Sequence, residues 1–416
     1  MKILVIANNP FSKISNNGKT LEAIFSAFKR NELCQLFIRP GDNDIDFDFC
    51  SSYYLITDKN LVQKFKNPFI TIGNEITNLE VTLDNSVNLK SPVNAFSWKR
   101  VAREYLWKFG LWKNQNLHNW LISQSPDLIF FVGGNSGFVY DIASYISDFL
   151  NINIVSFFTD DYIIHPIRDN FYSKLHWHML RKKYAKILNS TVRNYCIGTK
   201  MAKEYTEYFS APFSVIMNLI NIGEFNPKIT NTSVKSIVYL GGLHLHRWKT
   251  ISKLASYLPS DVKVHVYTFQ PIVGEIKDAF DCAGVCYHPG LSGDALQKVI
   301  IDSDVLLHVE SDDPKYKAIT MLSVSTKIPE YLVSSRPILA VGPSEVASMQ
   351  LLSQNSIGYV IDSKDANLKY RIDEFLNDSD LRFTLLSRGF EYVKQNFDIK
   401  IKSEEFRKDM MGCLED

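Results

Sequence analysis

The chain has 416 residues, 45% of them apolar and 22% charged, which is too long for one ordinary core and too apolar for disorder; two globular domains are the simplest division. Lys plus Arg number 46 against 45 for Asp plus Glu, so no global field draws the protein to nucleic acid or to an acidic surface. The opening MKILVIANNPF holds only a short apolar run, well below a signal-peptide core, and no segment reaches the about 18 apolar residues of a membrane span, so a cytoplasmic protein is expected.

Short β-rich runs alternate with longer amphipathic stretches, the pattern of parallel sheets covered by crossover helices. A first series of strands is expected at 2–7, 33–39, 53–57, 128–134, 153–158, 193–198 and 214–218. The polar segment NIGEFNPKITNTS, 221–233, has the composition of an interdomain linker. A second series follows at 236–242, 262–269, 285–290, 304–310, 337–342 and 359–362. The reading is an α/β protein with two doubly wound, Rossmann-like domains, 1–220 and 234–380. Ligands of such sheets lie outside the carboxyl ends of the strands, so two domains facing each other would form a central cleft. Six cysteines without a CxxC pair are expected to be free thiols.

Chemistry is therefore sought at strand ends. After the first strand, Asn16, Asn17 and Gly18 form a turn-prone loop before a helix expected from Lys19. Gly18 would let backbone approach a ligand closely, which makes Asn17, Gly18 and Lys19 candidates on the acceptor side; a simple βα turn explains them equally. IVSFFTDDYIIHP ends its strand in Thr159, Asp160 and Asp161 with His165 behind. A carboxylate pair there suits general-base or metal chemistry, and the absence of His/Cys ligand spacing argues against a metal.

In YLGGLHLHRWKTISKL, Gly241 and Gly242 mark the bend, and Arg247 is the preferred phosphate ligand, because a guanidinium bridges two phosphate oxygens. In SVSTKIPEYLVSSRP, Ser325 and Thr326 are N-cap types and Pro329 fits the first turn, so a helix starts here with Lys327 at its tip. Free amides and Lys327 would attract an anion, and Glu330, one turn further in, would accept from ribose hydroxyls. An ordinary capped surface helix is the alternative reading. The triplet Asp302-Ser303-Asp304 precedes a buried strand on the opposite edge of the sheet and reads as a loop.

These features together resemble family 4 of the retaining glycosyltransferases, of the GT-B fold, and in particular a polysaccharide-associated branch with an STKIPEYL motif. The resemblance implies that Gly241, Gly242, Arg247, Ser325, Thr326, Lys327 and Glu330 bind a nucleotide-diphosphate sugar. Arg247 stands where the family has its diphosphate-binding Lys, and the family's Arg position is Gly242. Glu330 matches the second Glu of the Glu-x7-Glu motif, the first falling on Leu322. The preceding HVESDDPKY also looks like that branch, placing Glu310 near the cleft with its role open. Asp160, Asp161, Arg247 and Lys327 are the implied catalytic set, with no metal or other cofactor, and 381–416 is implied to form a helix crossing back to the first domain.

The partners implied are a nucleotide-sugar donor and a glycan or lipid-linked acceptor, with no nucleic acid. The aromatic and basic segments at 97–121, with Trp98, Trp107, Trp112 and Trp120, and at 171–187 suit the cytoplasmic face of an anionic membrane, and equally a sheet-covering helix. The expected activity is retaining sugar transfer in cell-surface polysaccharide synthesis. A sugar-nucleotide epimerase of the same fold and a non-catalytic sugar- or nucleotide-binding protein are the alternatives.

Overall fold

The computed structural model describes residues 1–13, 16–39, 45–77, 97–227 and 233–414, and the chain folds into two compact units, Met1–Leu219 with Ile399–Asp416, and Ile220–Asp398. In chain order the first unit contains β1 (Ile3–Ala7), α1 (Asn16–Ile24), β2 (Leu33–Phe37), β3 (Tyr53–Leu55), α2 (Asp58–Lys66), β4 (Asn74–Ile76), α3 (Ser97–Lys108), α4 (Gln115–Gln124), β5 (Leu128–Gly133), α5 (Gly137–Leu150), β6 (Asn153–Phe158), α6 (Phe171–Leu188), β7 (Thr191–Cys196), α7 (Thr199–Phe209) and β8 (Ser214–Val215). The second contains β9 (Ser236–Leu240), α8 (Arg247–Ala255), β10 (Lys263–Thr268), α9 (Glu275–Ala283), β11 (Cys286–Pro289), α10 (Gly293–Asp302), β12 (Val305–Val309), α11 (Pro314–Thr320), α12 (Lys327–Val333), β13 (Ile338–Gly342), α13 (Ala347–Gln354), β14 (Tyr359–Asp362), α14 (Leu368–Asn377) and α15 (Ser379–Asn396). The chain then returns to the first unit as α16 (Ile399–Gly412).

The first sheet has the order β4-β3-β2-β1-β5-β6-β7-β8 and the second β11-β10-β9-β12-β13-β14. Pairing is parallel except between β3 and β4. The second order is the six-stranded doubly wound one, with its direction of progression reversing between β9 and β12. Both faces of each sheet are covered, so central strands such as ILVIA and VLLHV are buried at every position rather than alternating.

Three expectations change. The short edge strand β4, Asn-Glu-Ile, is too polar to register as a strand; only Ile76 is buried. Helix α1 already begins at Asn16, which places Gly18 within it. The segment expected as one helix over 381–416 is divided, because Phe397 and Asp398 leave helical geometry and Asp398 bridges Ile220 in parallel. Only α16 joins the first unit, where Phe406 packs edge-on against Phe25 and Phe130 at 5.3 and 5.6 Å. Arg407 beside it grips Glu32 through two 2.6 Å contacts, and that hydrogen-bonded guanidinium pulls the Glu32 carboxyl down to about 2.

Candidate functional site

The best-furnished site lies in the second unit at the carboxyl ends of β9 and β12, the switch point where ligands of doubly wound sheets bind. Strand β9 runs out at Leu240 into Gly241, whose φ of +151° favours glycine. A Cβ there would stand 2.0 Å from Lys327 Nζ. The glycine makes room for an ammonium that donates to the Leu240 carbonyl. Tyr331, one turn along α12, donates to the same carbonyl at 3.4 Å, and Tyr239 donates to Gly242 O at 2.7 Å, so the bend is held from both sides.

Arg247 opens α8 and turns toward the end of β12. Its Nη2 donates to Glu310 Oε2 at 3.1 Å and Oε1 at 3.4 Å. Glu310 is only 2% exposed, its own carbonyl accepts from Thr250 Oγ1 at 3.0 Å, and His308 Nε2 lies 3.4 Å from its Oε1. Burial alone would push the Glu310 carboxyl up, but Arg247 and His308 together leave it below the ordinary carboxylate range. Lys327 has no such compensation. Burial first, and then the positive charge of Arg247, lower its ammonium to about 8 against the opposing pull of Glu330. His244 is pushed down by burial and by the same two cations, and its Nε2 lies 3.3 Å from Arg247 Nη1.

Gly241, Gly242, Arg247, Lys327 and Glu330 therefore belong to one electrostatic neighbourhood. Ser325 does not present its amide to it, because that N–H donates to Ser348 Oγ at 3.0 Å. Thr326 occupies the N-cap position with helical dihedrals, φ −63° and ψ −12°, and its side chain caps no amide, contrary to the expected capped start. Leu322 is buried. The residue that pairs with Arg247 is Glu310, left open in the sequence, and His308, His244 and Tyr331 join the site from within the quoted segments, where nothing local singled them out. Asp304 sits at the amino end of β12 and accepts from the Lys235 and Ser236 amides at 2.9 Å, away from this edge.

In the first unit the carboxylate pair separates into two jobs. Asp161 is buried, and its oxygens accept from the amides of Ile163, Ile164 and His165 at 2.9, 3.0 and 2.7 Å and from Tyr205 Oη at 2.9 Å. Three of these bonds fall on Oδ1 and one on Oδ2, so Asp161 organises its own loop and ties it to α7. Asp160 is half-buried and accepts from Thr159 Oγ1 at 3.2 Å and Tyr162 Oη at 3.4 Å. At Gly18 a Cβ would lie 2.6 Å from Pro10 O and from Ser12 Cβ, so the backbone it admits there is the chain's own. Asn17 and Lys19 flank it on the exposed side of α1.

Of the tryptophans expected at a membrane surface, Trp107, Trp112 and Trp120 are core residues; only Trp98 is exposed. On α6, Lys183 is occupied by Glu104 at 3.1 Å and Asp141 at 2.8 Å. Among the described residues no cluster of three or more His, Cys, Asp or Glu side chains has metal-holding geometry, and no helix is long and apolar enough to cross a membrane.

The chain matches no protein-family model and no curated protein. Solved structures match it over nearly its whole length. A sucrose-phosphate synthase from Thermosynechococcus elongatus superposes with a TM-score of 0.65 at 11% identity, covering 99% of each chain. Anabaena HepE, solved in complex with UDP-glucose, gives 0.62 at 12% identity over 99% of this chain and 100% of its own. WaaG, a glycosyltransferase involved in lipopolysaccharide biosynthesis, gives 0.58 at 11% over 97% and 98%. The fold is thus GT-B, the two-sheet architecture of those glycosyltransferases.

Proposed function

We propose that this protein is a retaining glycosyltransferase that moves a hexosyl group from a nucleotide-diphosphate sugar to a glycan or lipid-linked acceptor in cell-surface polysaccharide synthesis, in the cytoplasm and at the inner face of a membrane. One observation carries the reading: Arg247 and Lys327, brought from distant parts of the sequence, stand within electrostatic reach of each other at the switch point of the second sheet, with Lys327 against Gly241. Departure of a nucleoside diphosphate places negative charge on the β-phosphate oxygens. Cations fixed at that point stabilise the transition state more than the ground state. Arg247 and Lys327 supply this charge without a metal or other cofactor, and Glu330 accepts from the donor ribose.

Glu310 gives this proposal a more definite form. Holding Arg247 through Nη2, it orients the guanidinium and leaves Nε, and the Nη1 hydrogen turned away from His244, for the diphosphate. Asp160, the accessible member of its pair, is assigned to the acceptor side. The acceptor attacks from the leaving-group face, so no enzyme nucleophile is required. Released nucleoside diphosphate, measured with and without candidate glycan acceptors, tests the reading: acceptor-dependent release supports transfer, whereas nucleotide binding without release leaves only a binding protein. A thermal-shift screen of uridine, guanosine, adenosine and cytidine diphosphates identifies the base, a ligand at one hundred times its Kd raising stability by about 2.7 kcal/mol.

A further inference from the structure

Helices α2 and α3 present an aromatic surface that none of the described residues covers. Phe65 is 54% and Phe109 68% exposed, yet their rings meet edge to face at 5.6 Å. On α3 and its exit, exposed Trp98, Tyr105 and Phe109 fall at i, i+7 and i+11, one helical face. The turn after α2 carries Phe69, 94% exposed. That turn is built rather than loose: Phe69 N–H donates to Asn67 Oδ1 at 3.1 Å, Ile70 N–H to Asn67 O at 3.1 Å, and Lys64 Nζ to Ile70 O at 2.7 Å. Three hydrogen bonds thus fix the turn that holds this ring in water.

Charge selects the occupant. The two helices hold seven basic side chains against two acidic ones. Both acids are neutralised internally: Asp58 accepts from Arg103 Nε at 2.9 Å and Trp107 Nε1 at 2.6 Å, and buried Glu104 accepts from Lys183 at 3.1 Å and the Gly137 amide at 2.6 Å. The exposed charge around the rings is therefore positive, with Lys66, Arg100 and Lys108 among it. Rigid aromatics inside a basic rim match the interface of an anionic bilayer, which accepts rings at headgroup depth and attracts lysines.

We infer that α2, the Phe69 turn and α3 form a docking face for an anionic lipid surface, with Phe65, Phe69 and Phe109 as the inserted side chains. The inference deepens the membrane side of the proposed function and is independent of the donor site. The test is co-sedimentation of the full chain with phosphatidylcholine vesicles, alone or containing about one third phosphatidylglycerol. Expected are binding to the anionic vesicles only, weakening with salt, at least about tenfold loss in the Phe65→Ser/Phe69→Ser/Phe109→Ser variant, and about fivefold loss for each of Lys66→Gln and Lys108→Gln. Unfolding midpoints verify that the variants fold, and uridine diphosphate binding is read in parallel, so failure at the donor site is distinguishable from failure here. Absent or charge-independent vesicle binding, or a triple variant that binds like the parent, overturns the inference. So does a dimer in sedimentation velocity that the triple variant abolishes without any vesicle binding, which would assign the face to a second copy.

Discussion

The carboxyl edges of the two sheets use acidic residues in opposite ways. At the second sheet, Glu310 takes a guanidinium and Lys327 stands nearby with its charge compressed by burial. At the first, Asp161 takes three backbone amides and a tyrosine hydroxyl, and its charge is consumed in shaping one loop. Ionised groups bonded to other ionised side chains remain redistributable when a charged ligand arrives. Those bonded to backbone do not, and this difference separates a site from a scaffold more sharply than residue type does.

The contrast is broken most forcefully at Arg247. Arg247→Met leaves buried Glu310 with only His308 beside it, and a loss of about 3 kcal/mol is expected in urea unfolding, together with loss of nucleoside diphosphate binding. The double variant Arg247→Met/Glu310→Met should regain most of the stability and none of the binding; if both return, the pair is scaffold. Next, Asp161→Ala strands three amides and should cost about 3 kcal/mol by the same measurement, with diphosphate affinity in the folded fraction unchanged.

Lys327→Met should weaken diphosphate binding about ten- to hundredfold in calorimetry, the worth of one charge-assisted contact. Its pH dependence sharpens the point. The folded pKa of about 8 lies below the ordinary lysine value of 10.5, so between these pH values the unfolded chain binds more protons than the folded one, and stability contributed by Lys327 rises with pH across that window. Affinity for a diphosphate runs the other way, falling as pH passes 8, and the fall should vanish in Lys327→Met. Smallest in stability is Asp160→Asn, expected within about 0.5 kcal/mol of the parent, its effect appearing instead in acceptor-dependent turnover.

The sheets were legible because both faces are covered: runs such as LIFFVG and ILAVG are apolar at nearly every position, and the expected strands lie within two residues of those observed, except that β8 stops three residues early. β4 escaped because an edge strand with one buried side chain leaves almost no pattern. In the candidate site, Gly241 and Lys327 were each visible locally, but their contact spans 86 residues of chain, from position 241 to 327, and that of Arg247 with Glu310 spans 63. No periodicity encodes such meetings. Asp160 and Asp161 could not be told apart for a related reason, since what distinguishes them is which backbone amides turn inward. The tryptophans of 97–121 failed similarly: Trp107 and Trp112 face the core while Phe109, between them, faces out.

Phe406, on α16 after the second unit, sits among Phe25, Phe28, Phe130 and Tyr195. During synthesis the first sheet leaves the ribosome before the second, yet its aromatic centre lacks a ring until the chain has been made as far as residue 406. The unit translated earliest is therefore the last to be completed, and in the interval it must persist with an open seam, the interval in which chaperones and truncating proteases have their opportunity.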